Sequence, residues 1–572
     1  MARTAENKQH ELSAIRETVE SVWVAIILAF VLRAFMLEAF VIPTGSMAPR
    51  LMGEHYDLKC VACGYEYSYG WDHQGSVKRG SKVTLVGAQC PSCTHAFATD
   101  NMVYINGGDR VLVLKYLYKV AEPKPFDVVV FRNPQSNANN YIKRLIGLPG
   151  ETIEIVNGDV FVTQPGGSPE IRRKPDRAQK VMWQIISDND YQPDLKKLKE
   201  ANLALDKPRR WAPLDASQSQ LWTKSSDGRT FMFSGSKTPS YLRFKGVQDI
   251  VSYPDSDNPD GPRLQVEQDA MREAFIPRYG YNDDRSSALG DSNIGLCYDL
   301  KVSAVIKPSG DAGSVECVLD GMWYSFRVVF DSDGTVTVFQ KPPGIDNKQW
   351  TKWASGKTSP MQAHAGRRIE LAHVDHSVKV WIDDEKVIDK NYSITLETLK
   401  SRLSEAAGNP ELGLPCPGAS IGANGTAMTL AHLKLMRDVY YTTDLKLSSA
   451  DGDSPSFLKN YADKHSEIGD DGWGVEGNPI TLYKSKKNPD LDQFFVLGDN
   501  SPKSLDSRGW IEAAPSLRLY DKDGNRQYQL GTVPRYNMIG KAMFVYWPSG
   551  HRVPMLPGLP IIPDAGRMRL IH

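Results

Sequence analysis

The chain has only 7 cysteines in 572 residues and carries no net charge. Seven cysteines are too few for a disulfide scaffold. Lys+Arg and Asp+Glu both number 68, a balance that argues against a general nucleic-acid binder, and no nucleic-acid partner is expected. The mean hydropathy is −0.40, which excludes a protein with many membrane spans.

The composition is otherwise that of a globular protein. Hydrophobic residues make up 41% and charged residues 24% of the chain. Because one hydrophobic core rarely extends beyond about 250–300 residues, the length predicts two to four domains.

One apolar stretch is long enough to cross a membrane. Residues 22–42 span 21 positions, interrupted only by Arg33 and Glu38, and about 20 helical residues cross a bilayer. The sequence therefore predicts a single transmembrane anchor. A cleaved signal peptide and a buried helix of a soluble domain are the alternatives, although the polar region before residue 22 is long for a signal peptide. Basic residues on both sides leave the orientation open.

Three separated segments carry candidate chemistry. Pro43–Leu51 is a loop directly after the apolar stretch and contains Ser46. Tyr141–Glu151 reads as a strand that contains Lys143 and ends in a Pro-Gly turn. More than 300 residues later, Phe494–Trp510 is a strand that runs into a polar loop. Taken singly, each segment has an ordinary structural explanation, such as a solvent-facing lysine on an edge strand.

In this order behind an anchor, the three segments resemble the type I signal peptidases, a family of Ser/Lys membrane endopeptidases. The resemblance covers roughly residues 15–58, 101–165 and 482–550. It implies that Ser46 is the nucleophile and Lys143 the general base. The further roles that it implies are Thr44 and the backbone N–H of Ser46 at the oxyanion, Ser504 orienting the lysine, a structural ion pair of Asp506 and Arg508, and Met47 beside the substrate pocket. Ile142 is a second, weaker candidate for the pocket.

These roles agree with the chemistry of a Ser/Lys pair. A serine is a poor nucleophile until a neighbouring base takes its proton. An exposed lysine has a pKa of about 10.4 and is protonated at neutral pH. Burial in an apolar strand would lower that pKa toward about 7–8, and a hydrogen bond with Ser504 would direct the amine. No cofactor is expected for catalysis.

The resemblance also implies substrates and location. The family cleaves exported preproteins after small residues at the end of their signal peptides. An extended peptide could bind as an added strand at a sheet edge, with alternate side chains in shallow pockets. The expected location is the cell (inner or cytoplasmic) membrane, with one span and an extracytoplasmic catalytic domain. The alternative is a membrane-tethered carbohydrate- or protein-binding protein on an inactive peptidase scaffold.

Four of the cysteines form two close pairs. Twenty-six residues separate the pair Cys60/Cys63 from the pair Cys90/Cys93, a spacing typical of a zinc ribbon with four thiolate ligands. A structural zinc ion is therefore the expected cofactor. Two disulfides, or a ligand set in which His73 or His95 replaces a cysteine, are the alternatives.

A large insertion separates the last two catalytic segments. Its later part has many short strands with regular turns, a pattern typical of a two-sheet sandwich. The strands around residues 369–388 loosely resemble concanavalin-like or laminin-G-like jelly rolls, which implies a glycan or protein ligand. A spacer or docking module is the alternative.

The predicted fold class is therefore mainly β, with an N-terminal transmembrane helix and a catalytic domain interrupted by a CxxC module and a jelly-roll-like sandwich. The predicted units are a tail (1–21), the anchor (22–42), the catalytic domain (43–58, 100–165 and 482–550), the zinc-ribbon-like module (59–99), a partly helical linker (166–206), the sandwich (207–445), a second linker (446–481) and a C-terminal tail (551–572).

Overall fold

The structure is a computed structural model that describes residues 2–70, 82–84, 88–95, 102–136, 139–194, 210–245, 275–277, 279–282, 295–343, 349–408, 413–442, 472–510, 512–517, 528–550 and 564–572. Four α-helices lie in these ranges: α1 (Ala2–Phe35), α2 (Leu117–Val120), α3 (Asp176–Met182) and α4 (Leu396–Gly408).

The strands of the described residues are β1 (Leu37–Val41), β2 (His55–Lys59), β3 (Glu66–Gly70), β4 (Lys82–Thr84), β5 (Met102–Tyr104), β6 (Arg110–Leu114), β7 (Val128–Arg132), β8 (Asn140–Gly147), β9 (Thr152–Val156), β10 (Asp159–Thr163), β11 (Pro169–Ile171), β12 (Gln184–Asp188), β13 (Arg210–Pro213), β14 (Trp222–Lys224), β15 (Phe231–Phe233), β16 (Ser236–Lys245), β17 (Leu300–Pro308), β18 (Gly313–Asp320), β19 (Ser325–Asp331), β20 (Thr335–Lys341), β21 (Thr351–Lys357), β22 (Arg367–Val374), β23 (Ser377–Ile382), β24 (Glu385–Asn391), β25 (Gly418–Gly425), β26 (Met428–Arg437), β27 (Ile480–Thr481), β28 (Gln493–Leu497), β29 (Val533–Pro534), β30 (Met538–Trp547) and β31 (Arg569–Leu570).

An antiparallel sheet carries the three candidate catalytic segments. Its order is β1-β6-β30-β7-β8-β28-β29, with β31 beside β30. From Ile142 onward β8 is buried on both faces, which explains why its apolar residues do not alternate with polar ones. The sheet thus joins in one layer β1, β8 and β28, the strands that precede or carry the three segments.

A second, four-stranded sheet packs against the first. Its order is β11-β10-β9-β27, and one apolar cluster joins Ile153 and Val160 to Ile146 and Phe495 of the first sheet. The hairpin between β9 and β10 turns at Asn157–Gly158, where both residues have positive φ (50° and 88°), as a type I′ turn requires.

The predicted anchor of residues 22–42 differs from the structure at its C-terminal end. α1 ends at Phe35, and β1 then pairs with β6 in register Leu37↔Leu114. Backbone hydrogen bonding to β6, together with the restriction that Pro43 imposes on Ile42, favours an extended chain here. In the part of the chain that the structure describes, no helix is long and apolar enough to span a membrane.

The large insertion forms a β-sandwich, so the mainly β fold class is confirmed. One sheet has the order β14-β15-β26-β17-β22-β23-β24, with β12 beside β26, and the other has the order β13-β16-β25-β18-β19-β20-β21. Their facing apolar side chains, such as Leu371, Phe326 and Ile421, form one core. The assignment of residues 166–206 to a linker was wrong for β12, since its pairing with β26 makes it part of the sandwich. Residues 195–206 of this predicted, partly helical linker lie outside the described residues.

Two segments that were predicted as a linker and a tail also contribute strands. Ile480–Thr481 pairs with β9, and Arg569–Leu570 pairs with β30. Neither segment carries a strong hydrophobic pattern, and both add only two residues to an existing sheet edge. Their strand character therefore depends on the neighbouring strand.

Candidate active site

Ser46 lies in a closed loop, Pro43–Glu54, which we call the serine loop. Glu54 N–H donates to the carbonyl of Pro43 (3.3 Å), and a Cβ on Gly53 would lie 2.3 Å from the carbonyl carbon of Thr44. Only glycine permits this crossing of the chain. The loop therefore returns on itself, with Ser46 near its centre and the half-buried Thr44 two residues before it.

Lys143 reaches Ser46 from the sheet. Its Nζ is in hydrogen-bond contact with Ser46 Oγ, and it also lies 5.3 Å from the ring centre of Tyr141. Ser46 is 7% and Lys143 is 3% exposed. The two residues that the motifs predict as nucleophile and base are therefore adjacent and largely shielded from water.

A polar loop at the end of β28, residues 498–508, is held by a buried ion pair. Arg508 Nε and Nη2 donate to the two carboxylate oxygens of Asp506 (2.9 and 2.7 Å), and neither side chain is exposed. Asp506 also accepts from Gly498 N–H (3.0 Å), and Arg508 donates to Ser501 Oγ (2.8 Å). This ion pair fixes the ends of the loop relative to each other.

The same loop holds the serine loop through Asn500. Its backbone N–H donates to the carbonyl of Ser46 (3.0 Å), and its Nδ2 donates to the carbonyl of Gly45 (3.0 Å). Asn500 is 1% exposed. The position of the nucleophile therefore depends on Asn500.

Asn282, from the large insertion, completes this arrangement. Asn282 Nδ2 donates to Asn500 Oδ1 (2.7 Å), and Asn500 Nδ2 donates to Asn282 Oδ1 (2.9 Å). Beside it, the Tyr281 ring packs so closely on Gly45 that a Cβ there would lie 2.3 Å from Cε1. We call the segment Tyr279–Asn282 the strap. Through it the insertion contacts the serine loop directly.

Ser504 is buried next to these residues. A Cβ on Gly498 would lie 2.1 Å from Ser504 Oγ and 2.5 Å from the carbonyl oxygen of Ser46, so glycine is needed where the two loops meet. Among the described residues, Ser504 Oγ has no hydrogen-bond partner. The structure therefore places Ser504 against the serine loop without the predicted hydrogen bond to Lys143.

Met47 and Ile142 lie in one apolar cluster with Ile42 and Leu51. Met47 is fully buried and Ile142 is 9% exposed. They therefore line a closed apolar region beside Ser46 and Lys143 in this conformation, and an occupied substrate pocket would need these side chains to move.

A second buried ion pair supports β8. Arg144 donates from Nε and Nη2 to Asp499 (2.7 and 2.6 Å), and both side chains are 2% exposed. Arg144 also donates to the carbonyls of Phe126 and His572 (3.0 and 2.9 Å). The charge of Asp499 raises the pKa of Arg144 against the opposing effect of burial, so the guanidinium stays charged.

The sequence interpretation missed Arg144, Asp499, Asn500 and Asn282. For Arg144 the sequence did hold an indication. Consecutive residues of a strand point to opposite faces, so Lys143 and Arg144 cannot lie on the same solvent-exposed face. Asn282 had none, because it is more than 200 residues from Asn500 in the chain.

The four paired cysteines meet in one cluster. Their sulfur atoms lie within 4.8 Å of one another, with Cys60–Cys93 at 3.6 Å and Cys63–Cys90 at 3.7 Å. These separations exceed the disulfide length of about 2.05 Å and match sulfur atoms about 2.3 Å from a tetrahedral zinc ion. The four side chains thus fit a closed structural zinc site.

Comparison with known proteins supports the family resemblance. The chain matches the family described as "Signal peptidase, peptidase S26" over residues 96–233 and 459–547. These segments include Lys143 and Ser504, whereas Ser46 lies before them. Signal peptidase I of Buchnera aphidicola subsp. Baizongia pistaciae is 27% identical over 177 residues, covering 31% of this chain and 42% of that protein.

Signal peptidase I of Rickettsia typhi is 26% identical over 148 residues, covering 26% of this chain and 43% of that protein. The chain thus aligns with less than half of the length of these relatives. The matches confirm the predicted resemblance to the type I signal peptidases and support a peptidase among the hydrolases.

Solved structures match this chain only weakly. The carbohydrate-binding module CBM66 from Bacillus subtilis covers 39% of this chain and 94% of its own, with a TM-score of 0.22 and 11% identity. The Emp46p carbohydrate recognition domain, in its potassium-bound form, covers 39% and 91%, with a TM-score of 0.21 and 12% identity. At these scores neither match indicates a ligand for this chain.

Proposed function

We propose that this relative of the signal peptidases is a membrane-anchored endopeptidase that removes signal peptides from exported preproteins with a Ser46/Lys143 dyad. The observation that carries the proposal is the contact between Lys143 Nζ and Ser46 Oγ inside a shielded site. Two buried ion pairs support the surroundings of this contact, since Arg144–Asp499 ties β8 to the polar loop and Arg508–Asp506 fixes that loop internally. The relatives' printed names supply the substrate class.

In this proposal the neutral amine of Lys143 takes the hydroxyl proton of Ser46 as Oγ attacks the scissile carbonyl carbon. The backbone N–H of Ser46 and the hydroxyl of Thr44 donate to the oxyanion that forms, and each such donor contributes about 3–4 kcal/mol in comparable enzymes. The lysine then returns the proton to the leaving amine. Water, activated by the same amine, hydrolyses the acyl-enzyme and releases Ser46.

The substrate would bind as an extended peptide beside β8, next to the contact between Lys143 and Ser46. Its small side chains would lie toward Met47 and Ile142, and these buried side chains would have to move to open a pocket.

The proposed anchor is α1. Apolar side chains are exposed at successive positions, including Trp23 (60%), Val24 (64%) and Ile27 (58%). At 100° per residue, successive positions cover the whole circumference of the helix. A helix that is apolar on all sides requires lipid or protein around it. The apolar surface continues onto Leu37 and Val41 of β1, which would place the catalytic domain at the membrane surface.

The proposed cofactor is a structural zinc ion held by Cys60, Cys63, Cys90 and Cys93. Its two knuckles have matching backbone bonds, from Gly64 N–H to Cys60 O (2.8 Å) and from Thr94 N–H to Cys90 O (2.9 Å). Four sulfur ligands leave no open coordination position, so the ion would stabilise a module that has little core of its own.

The test is cleavage of a preprotein whose signal peptide ends in Ala-x-Ala, in detergent or in vesicles. Wild type should cut after the second alanine, whereas Ser46→Ala and Lys143→Met should each lose at least about 10³-fold in kcat. The control is Ser325→Ala, which removes a buried hydroxyl bonded to Asp320 in the sandwich and should cleave at the wild-type rate. Equal cleavage by all four proteins would disprove the dyad.

The anchor is tested by fractionation. The full chain should stay with the membrane after alkaline carbonate washing, and the chain lacking residues 1–35 should be released. Release of both would disprove the anchor without bearing on the dyad.

A further inference from the structure

Asp109, the residue before β6, binds the chain on both sides of Ser46. Before the serine loop, Ile42 N–H donates to the carbonyl of Asp109 (2.9 Å). Near the end of the loop, Met52 N–H donates to Asp109 Oδ2 (3.0 Å), and Asp109 N–H donates to the carbonyl of Met52 (2.8 Å). One buried residue therefore holds the start and the end of the loop together.

The order of the chain does not by itself bring the end of the loop to Asp109. After Met52 the chain continues into the cysteine module, and 56 residues separate Met52 from Asp109. The approach at Gly108 is close, since a Cβ there would lie 1.7 Å from the carbonyl oxygen of Ile42 and 3.2 Å from that of Met52. Only glycine fits at this position. The Gly108–Asp109 pair thus joins both sides of the loop to the start of β6.

Both oxygens of the Asp109 carboxylate accept backbone hydrogen bonds. Oδ2 accepts from Met52 N–H and Oδ1 from Ser549 N–H (2.9 Å), just after β30, and Asp109 has no exposed surface. Arg569 Nη2 lies 3.6 Å from Oδ2 and also donates to the carbonyl of Arg50 in the serine loop. Hydrogen bonds to a carboxylate are stronger than those between neutral groups. The side chain therefore fixes the end of the loop against the sheet.

The start of the serine loop sets the position of the reacting groups. Thr44 and Ser46 lie two and four residues after Ile42, whereas Lys143 belongs to β8. On its other side the loop is held by Asn500. A shift at the start of the loop would therefore move the serine and the threonine relative to the lysine, and a misplacement of about 1 Å can cost about 10²-fold in rate.

We propose that Asp109 is a positioning residue of the peptidase, which holds the serine loop so that Ser46 and Thr44 meet the scissile carbonyl group. This inference rests on the proposed peptidase function. Asp109 touches neither the substrate nor the reacting atoms, and it acts through the backbone of Ile42 and Met52.

The test is the substitution Asp109→Asn, which keeps the shape of the side chain. Whichever way the new amide is turned, its nitrogen faces the N–H of either Met52 or Ser549, so one hydrogen bond is lost. For cleavage of the Ala-x-Ala preprotein, kcat should fall about 10- to 100-fold. KM should stay within about threefold, because Asp109 has no exposed surface with which to contact the substrate.

The matched control is Asp492→Asn. Asp492 is 6% exposed, its Oδ1 accepts from Ser485 N–H (2.9 Å), and its Oδ2 lies 3.2 Å from Arg535 Nη2. The control therefore loses the same kinds of contact away from the serine loop, and it should have a lower thermal midpoint but keep kcat within twofold. The proposal is overturned if Asp109→Asn also keeps kcat within twofold, or if both variants lose kcat equally.

Amide hydrogen exchange detects the same contacts without cleavage. In wild type the N–H groups of Ile42 and Met52 should exchange slowly, and Asp109→Asn should speed exchange at Met52 by at least about tenfold. Fast exchange at both positions in wild type would overturn the proposal even if the variant does not fold. Slow exchange in a wild type that cleaves no preprotein would instead overturn the peptidase function and leave Asp109 only its hold on the loop.

Discussion

Asn282 provides a sharp test of how the insertion contributes to catalysis. It belongs to the insertion, yet its amide makes two hydrogen bonds with Asn500, which in turn binds the carbonyls of Gly45 and Ser46. The carbonyl of Gly45 can only accept a hydrogen bond, so the nitrogen of the Asn500 amide must face it. The Asn500 oxygen must then face Asn282, where it needs a donor.

The substitution Asn282→Asp removes that donor without changing the shape of the side chain. A carboxylate oxygen would then lie opposite Asn500 Oδ1, which is 2.7 Å from the present nitrogen. An unsatisfied buried acceptor costs about 1–3 kcal/mol, and more when a charge is involved. Rotation of Asn500 would relieve the repulsion and release Gly45. Since a misplacement of about 1 Å can cost about 10²-fold in rate, we expect kcat to fall about 10- to 100-fold.

The assay measures kcat and KM for signal-peptide cleavage together with the thermal midpoint. We expect KM to stay within about threefold, because Asn282 is not one of the residues proposed to face the substrate. The matched control is Asn189→Asp. Asn189 is 2% exposed and uses its amide to bind backbone carbonyls at Gly228 and Arg229, in a network separate from the serine loop. It should lose stability but retain kcat.

A double-mutant cycle separates the chain of contacts from general damage. If Asn282 acts through Asn500, then Asn282→Ala combined with Asn500→Ala should be no slower than Asn500→Ala alone. The reasoning is refuted if Asn282→Asp lowers the thermal midpoint as Asn189→Asp does and leaves kcat within twofold of wild type.

Three further predictions concern stability. Asp499→Asn leaves the buried Arg144 guanidinium without a carboxylate and should lower the free energy of unfolding by about 3–5 kcal/mol in urea titrations; a loss below about 1 kcal/mol would contradict the pairing. Purified protein should contain about one zinc per chain, and Cys63→Ser should lose the metal and have a lower thermal midpoint. The control Cys317→Ser, at a buried thiol of the sandwich, should keep the metal. Metal-free wild type with paired disulfides would contradict the zinc site. Burial, with repulsion from Asp375, raises the pKa of Asp159 to about 7, above its unfolded value of about 3.9. The folded state then binds more protons than the unfolded state between about pH 4 and 7, so stability should fall as pH rises through that window. Asp159→Asn should therefore be more stable than wild type at pH 8 and gain little at pH 4. If the variant is destabilised equally at both pH values, ionising the Asp159 carboxyl does not destabilise the folded state.

Local patterns explain which elements were predictable. The strand containing Lys143, the sandwich strands and the two cysteine knuckles all carry their signal within about ten residues, as hydrophobic runs, turns or fixed spacing. The end of α1 was misjudged because an apolar run has the same appearance in a helix and in an edge strand, and only pairing with β6 distinguishes them. The two-residue strand at Ile480–Thr481 was missed because it has no hydrophobic pattern of its own and is a strand only through its pairing with β9.

From the sequence came the paired spacing of the four cysteines and the strand patterns behind the mainly β fold class, because both depend on residue type and short spacing, whereas the candidate nucleophile and base came from the order of three segments that resemble the signal peptidases. Tertiary structure alone decided that Asn282 of the insertion meets Asn500, and that Arg144 pairs with Asp499. The two polar contacts join residues more than 200 positions apart in the chain, and nothing in the local pattern encodes which of many polar side chains will be buried together. The large insertion, which the sequence presents as a separate unit, thus contributes Asn282 and Tyr281 to the surroundings of the serine loop.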